Sequence, residues 1–299
     1  MEIQKSGVAL RPSVFAPSEI LKLTKIIDQS EISHVFIPDL SVGFDSVEIS
    51  SACLGVAKGL RVGSGVIRLT EHDEKQLVRR LETLQALSEN RFLLGIGTGS
   101  PGPDPKQKIN DMIERLQGLR NKFSSGDGTT FPDVYIAALK VGIAKRVAPF
   151  CSGLLLNFCS AQYAGSVVQA VKQSFGGKID FGCYLKVFFS KSESLAQKLM
   201  IQEFGNYNSI PQYHRMFERD GIADVIKKSL DSLENEPYNV PRSLLEISPV
   251  NPSKSEISQY VSAYRNAGVT LPCIYPYFSR GENFDFMQET IRTIISAAG

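Results

Sequence analysis

The sequence predicts an α/β fold, a single (β/α)8 TIM barrel with a helical insertion after strand seven. Three observations predict it. Short apolar segments that suit strands alternate with segments of helical period along nearly the whole chain. The strand segments are apolar on both faces, as where helices cover both sides of a parallel sheet. Glycine gathers at the ends of two of them, at Gly63, Gly65, Gly95, Gly97 and Gly99. A length of 299 residues fits one large barrel, so residues 1–299 read as one domain, with 205–240 as the inserted helical segment.

The clearest unit spans residues 61–102. A strand at 60–67 carries β-branched Val62, Val66 and Ile67, and one at 92–96 is a run of Phe92, Leu93, Leu94 and Ile96. Between them Leu77, Val78, Leu81, Leu84 and Leu87 recur at helical spacing over 73–88, with Glu71, Asp73 and Glu74 at the positive end of the helix dipole. Before this unit the pattern gives a strand at 7–11, a helix at 18–30 capped by Ser18, a strand at 34–38 ending at Asp39, and a helix at 45–58. After it come a helix at 104–123, strand five at 134–138, a helix at 141–148, strand six at 153–156 ending at Asn157, and a helix at 161–175. Strand seven is long, 179–189, and is followed by a helix at 192–204. Residues 207–239, rich in aromatic and charged side chains, break the rhythm and read as helical, near the barrel mouth, where insertions serve as lids or subunit contacts. A short strand at 244–247, a helix at 254–267, strand eight at 271–275 and a helix at 284–297 finish the pattern.

Composition narrows the function. A net charge of +2 and the absence of any lysine or arginine run give no field for nucleic acid. The five cysteines are scattered without a CxxC pair and read as small buried hydrophobes of a reducing compartment. His34, His72 and His214 are too far apart for a local zinc motif, so no metal is expected. No apolar run is long enough to cross a bilayer and the first residues lack the regions of a signal peptide, which points to a cytoplasmic protein.

In a parallel barrel the ligand sits at the carboxyl ends of the strands. Glycine there lets a planar or anionic ligand approach the backbone, or merely serves turns and strand packing. The spacing Gly95-x-Gly97-x-Gly99, followed by proline, is not the dinucleotide fingerprint. Asp39, at the end of strand two, is a candidate ligand of a ring or substrate, or a turn acid facing water. Small residues leading into a helix at 137–142 suit a phosphate, because first-turn amides and the dipole both favour an anion.

Residues 83–99, TLQALSENRFLLGIGTG, following the Gly65-Val66 pair, resemble the luciferase-like family of flavin-dependent oxidoreductases, and particularly its deazaflavin branch, which includes methylenetetrahydromethanopterin reductase. The resemblance extends to VYIAAL at 134–139, SGLLLN at 152–157 and YRNAGV at 264–269. It implies a non-prolyl cis peptide at Gly65-Val66 that backs the cofactor ring, Thr98, Gly99 and Ser100 on the ring side, and Ala137, Ala138, Leu139, Lys140, Val141 and Gly142 around the cofactor phosphate. Asp39 is the catalytic candidate and a ring contact. Asn157 and Ser160 are further candidates for the ribityl chain or substrate. Two departures accompany it: Leu40 follows Asp39 where the deazaflavin branch has a polar residue, and RLTEHD at 68–73 replaces a proline-containing segment.

The implied activity is F420-dependent hydride transfer to or from a small organic substrate, by a homodimer. The alternatives are an FMN-dependent luciferase-like monooxygenase and a flavin-binding protein without turnover. A Schiff-base lyase built on Lys140 or Lys186 is a fourth possibility with no support at either lysine. A redox cofactor supplies the electrons itself, which explains why no acid/base triad is visible.

Overall fold

A computed structural model describes residues 4–40, 42–99, 104–124, 126, 128–234, 238 and 240–299. Ser100, one of the ring-side candidates, lies outside them. The strands are β1 (Gly7–Ala9), β2 (His34–Ile37), β3 (Arg61–Ser64), β4 (Ile67–Arg68), β5 (Phe92–Gly97), β6 (Asp133–Ala137), β7 (Gly153–Asn157), β8 (Asp180–Phe189) and β9 (Leu271–Phe278). They pair in the order β3-β2-β1-β9-β8-β7-β6-β5-β4, and β3 also pairs with β5, which closes the sheet into a parallel barrel. β3 and β4 are two halves of one barrel position, so the barrel has eight.

The third position is where pattern and structure part. Periodicity predicts one strand over 60–67. In the structure the strand breaks after Ser64 and resumes at Ile67. Val62 pairs with Phe92 and Ile67 with Ile96, so five steps on this strand match four on β5. The extra residue is a bulge, and it re-aims the chain at the barrel mouth.

Helices α1 (Pro17–Ile27), α2 (Ser46–Val56), α3 (Glu74–Ser88), α4 (Pro105–Lys122), α5 (Val141–Val147) and α6 (Ala161–Ser174) surround the first half of the barrel. Between β8 and β9 lie α7 (Glu193–Asn208), α8 (Pro211–Arg219), α9 (Ala223–Asp231), α10 (Arg242–Leu245) and α11 (Lys254–Asn266), and α12 (Phe284–Ala298) follows β9. Capping fixes several starts: Asp73 accepts from the Gln76 amide at 2.9 Å, and Asp45 from Val47 at 2.8 Å. Two expectations fail. Ser18 does not cap α1. The cap is Ala16, with Pro17 opening the helix and Glu19 reaching back to the Ala16 amide at 2.8 Å. Residues 244–247 are no strand, because Pro241 opens the short helix α10, and Leu244 is its buried residue. β9 also runs past 275 to Phe278, held along its length by β8.

The barrel interior is filled, not hollow. Phe36 meets the rings of Tyr135 and Tyr184 edge-on at 5.6 and 6.0 Å, and Tyr184 meets Tyr275 at 5.4 Å. At the opposite end from the mouth, Asp180 accepts from Lys5 at 2.6 Å and from the Tyr135 hydroxyl at 2.8 Å. All five cysteines are free thiols and four are buried. No described helix is long and apolar enough to cross a membrane.

Candidate active site

The floor of the site is the bulge. The Gly65-Val66 peptide bond is cis. The Gly65 amide donates to the Ile37 carbonyl at 2.8 Å, and the Gly65 carbonyl accepts from the buried Tyr184 hydroxyl at 3.1 Å. A Cβ at Gly65 would stand 1.8 Å from that hydroxyl oxygen. At Gly63 and Gly95 a Cβ would stand 2.2 and 2.0 Å from carbonyl oxygens of Leu93 and Ser64. The glycines at these three positions therefore let protein approach protein. Ser64 adds its hydroxyl, which bridges the amide and carbonyl of Gly95 at 3.2 and 3.1 Å. Val66, half-buried, fills the gap: a Cβ at Gly97 would lie 3.0 Å from a Val66 methyl and 3.5 Å from the Ala137 Cβ. Val66, Gly97 and Ala137 thus form a contiguous apolar shelf across β4, β5 and β6, and Ala137 is exposed although it ends a barrel strand.

Beside the shelf, the wall is charged. Asp39, following β2, accepts from the Ser46 hydroxyl at 2.9 Å and faces Arg68 at 3.5 Å. Burial raises the Asp39 pKa, and the Ser46 hydrogen bond and the Arg68 charge oppose that rise only in part. Arg68 also binds Glu71 at 2.6 Å, and its aliphatic stem lies where a Cβ on Gly99 would be 2.8 Å away. Gly99 has φ +70°, a conformation that glycine adopts without strain. So Arg68, in the segment where the sequence departs from the family pattern, joins Asp39 to Thr98 and Gly99 in one wall.

On the β6 side, Ala138 is buried and the Leu139 carbonyl accepts from the Tyr163 hydroxyl at 3.0 Å. Lys140 stands at the start of α5, with Val141 and Gly142 in the first turn. Burial, and then the neighbouring cation Arg215 of α8, lower the Lys140 pKa. Neither cation has a carboxylate within 4 Å among the described residues. The two positive charges are neighbours.

The far side, over β7 to β9, is closed by helices. Asn157 donates to the hydroxyls of Tyr207 on α7 (3.2 Å) and Tyr213 on α8 (2.9 Å), while its buried Oδ1 has no partner among the described residues. Ser160 is not a ligand candidate in the structure: it caps α6 through the Tyr163 amide at 3.0 Å and donates to Asp220 at 2.7 Å. Lys186, 0% exposed, pairs with Glu203 of α7 at 2.6 Å and lies 3.7 Å from the Tyr207 ring centre and 4.5 Å from that of Phe158. An ammonium so enclosed is no Schiff-base nucleophile. Sequence reading left Glu203, Tyr184, Arg11 and Arg215 aside. One signal was available: a lone lysine at an inward position of an apolar strand needs a counter-charge, and Glu203 lies between the buried Met200 and Phe204.

Two clefts of about 340 and 360 Å³ open elsewhere, between α2 and α3 and between α6 and α11, on the outer surface of the barrel.

Among solved structures, the chain resembles the coenzyme F420-dependent tetrahydromethanopterin reductase of Methanopyrus kandleri (12% identity, TM-score 0.69, 100% of both chains). It also resembles an F420-dependent secondary alcohol dehydrogenase in complex with an F420-acetone adduct (12%, TM-score 0.71, covering 97% of this chain and 99% of that one). A third is the FMN complex of the oxygenating constituent of 3,6-diketocamphane monooxygenase from Pseudomonas putida (12%, TM-score 0.65, 99% and 97%). These likenesses establish the barrel. Comparison with curated proteins gives no match. The sequence itself fits the family model of luciferase-like monooxygenases over residues 3–270, and the chain, an oxidoreductase by that membership, belongs to the luciferase-like monooxygenase family.

Proposed function

We propose that the protein is an F420-dependent oxidoreductase that transfers a hydride between a deazaflavin held at the barrel mouth and a small organic substrate. The observation that carries this reading is the apolar shelf of Val66, Gly97 and Ala137, flanked by the Lys140 and Arg215 cations. A flat ring needs a smooth apolar support and its side chain needs a phosphate site; these residues fit both. The F420-dependent neighbours with the same barrel support the choice of cofactor.

When bound, the deazaflavin supplies a two-electron hydride couple. The rest is the work of this chain. Gly65 and Val66 back the ring plane, and Tyr184 holds the Gly65 carbonyl in place from below. Thr98 and Gly99 border the ring edge. Ala137, Ala138, Leu139, Lys140, Val141 and Gly142 surround the phosphate, with Lys140 and Arg215 balancing its charge. Asp39, whose pKa burial raises, stands in the wall where it can hydrogen-bond a ring or substrate group. The orphaned Asn157 Oδ1 accepts one from a hydroxyl. Helices α7 and α8 keep water away from the β7 to β9 side. A homodimer is part of this reading, supported by Leu87 of α3, which is 77% exposed.

The second reading, an FMN-dependent monooxygenase, shares the phosphate pair and is supported by the FMN-bound neighbour. Parallel fluorescence titrations with F420 and FMN separate the two. Tight F420 and weak FMN binding is the expected result; the reverse order assigns the monooxygenase reading, and binding of neither overturns both.

A further inference from the structure

We propose that Arg11 is a substrate-specificity residue that receives a carboxylate, so that the substrate is a monoanionic organic acid with an apolar body; this rests on the oxidoreductase reading of the barrel mouth. Arg11 lies two residues past the end of β1, two strand positions along the mouth from the Val66 bulge between β3 and β4. Its guanidinium lies 5.4 Å from the Tyr277 ring centre. It is only half-buried, so an incoming group can reach it. Its Nε is buried without an acceptor, and the guanidinium makes no hydrogen bond or ion pair to any described residue. A buried guanidinium N–H left unsatisfied is costly, and in a binding site it marks where a ligand completes the set.

The charge count around it says what kind of ligand. Among the described residues, three charged groups share this side of the mouth: Arg11, Lys186 and Glu203. Glu203 is committed to Lys186 at 2.6 Å and also accepts from the Tyr277 hydroxyl. One positive charge is left over, and one monoanion cancels it. A dianion such as a phosphate monoester would leave an excess negative charge beside Glu203. A planar fork lying over an aromatic ring suits a planar carboxylate, which it grips through two parallel N–H groups. The surrounding surface is aromatic: the Tyr275, Tyr277 and Tyr207 rings all stand within 6 Å of Lys186 Nζ, and Tyr277 also carries Arg11. The Tyr277 face beside Arg11 favours an acid with an apolar body.

The test uses benzoate and its neutral isostere benzamide, titrated into the full chain with and without F420. The readouts are the ¹⁵N–¹H signal of Arg Nε and a thermal shift. Wild type should bind benzoate roughly 10- to 100-fold more tightly than benzamide, the effect of one charge-assisted pair, with the Arg11 Nε signal moving on saturation. Arg11→Gln should lose that preference while F420 affinity stays within about twofold. Arg11→Lys, which keeps the charge but not the fork, should recover part of it. Equal binding of the two probes by wild type, or an unchanged preference in Arg11→Gln, overturns the proposal. So does a parallel loss of F420 affinity in Arg11→Gln, which would place Arg11 at the cofactor. If the benzoate preference stands and F420 fails to bind wild type, the cofactor reading falls and the carboxylate site survives. Should Arg11→Gln unfold, the Nε signal and the two probes on wild type still decide the matter.

Discussion

Removing the Glu203 carboxylate by Glu203→Gln should be among the most damaging single changes to stability. The Lys186 ammonium is 0% exposed, and its carboxylate partner at 2.6 Å is 12% exposed. Removing one partner of a buried pair costs about 3–5 kcal/mol because the other charge is stranded. Here the aromatic box offsets part of that. Tyr207, Phe158, Tyr277 and Tyr275 stand 3.7, 4.5, 4.8 and 5.6 Å from the ammonium, and desolvated cation–π contacts contribute on the order of 2 kcal/mol. These contacts persist in the variant, so the net loss should be about 1–3 kcal/mol. Lys186→Met should cost less, because Glu203 keeps the Tyr277 hydroxyl and the nearby Arg11 charge. The double variant should be more stable than the sum of the two losses by about 2 kcal/mol or more. Urea denaturation of the four proteins at pH 7 gives this cycle. The pH dependence follows from the same pair. Despite burial, Lys186 holds the Glu203 pKa below its ordinary value. Its contribution is therefore complete above the unfolded carboxyl pKa of about 4.3 and is lost as pH falls through the lower folded value. A Glu203→Gln loss under 1 kcal/mol, or additive single losses, would refute the reasoning.

Other consequences are equally direct. His34 is buried with Nε2 unpartnered among the described residues, and burial, reinforced by Arg61 and Lys5, takes its pKa down to about 3. The folded protein thus prefers neutral His34, whose stabilisation is complete above the unfolded value near 6.5 and is lost as pH falls toward 3. Between pH 6.5 and 5 this residue should remove about 2 kcal/mol, and His34→Leu should flatten that slope in urea titrations; an identical slope in the variant contradicts the assignment. Gly65→Ala should destabilise by about 1–3 kcal/mol through the clash with the Tyr184 hydroxyl. Adding Tyr184→Phe removes the nearest atom and leaves 3.1 and 3.2 Å contacts, so the denaturation midpoint should recover in part, and no recovery would mean that something other than this contact forbids a side chain. Lys140→Ala and Arg215→Ala should each weaken cofactor binding on the order of tenfold, with a shallower salt dependence; unchanged affinity in both removes the phosphate assignment.

Much of the barrel is readable from the sequence because parallel strands buried on both faces are apolar throughout, and the amphipathic helices between them keep a clear period. That is why residues 92–96 and 73–88 are recognisable as strand and helix. The bulge at Gly65 and Val66 is not readable from period, since Val62, Val66 and Ile67 look like one strand; only the family resemblance marks it. Strand-end glycines are ambiguous for a related reason. Composition shows that something approaches the backbone, and only coordinates show that at Gly63, Gly65 and Gly95 it is Leu93, Tyr184 and Ser64. Residues 244–247 mislead because a short buried helical turn and a short strand are both apolar. The charged parts of the mouth are least legible. Arg68 with Asp39, Lys186 with Glu203, and Lys140 with Arg215 are 29, 17 and 75 positions apart in the numbering, and their pairing depends on which strand end and which helix the barrel brings together.

The central claim is that the Val66 shelf and the Lys140 and Arg215 cations hold a deazaflavin. The measurement that tests it most directly is a crystal structure of the protein grown with F420. The account predicts the ring against Val66, with Gly97 and Ala137 beneath it, and the phosphate beside Lys140 and Arg215. Density for F420 at any other place, such as the cleft between α2 and α3, or a mouth that takes up FMN but not F420 under the same conditions, would contradict it.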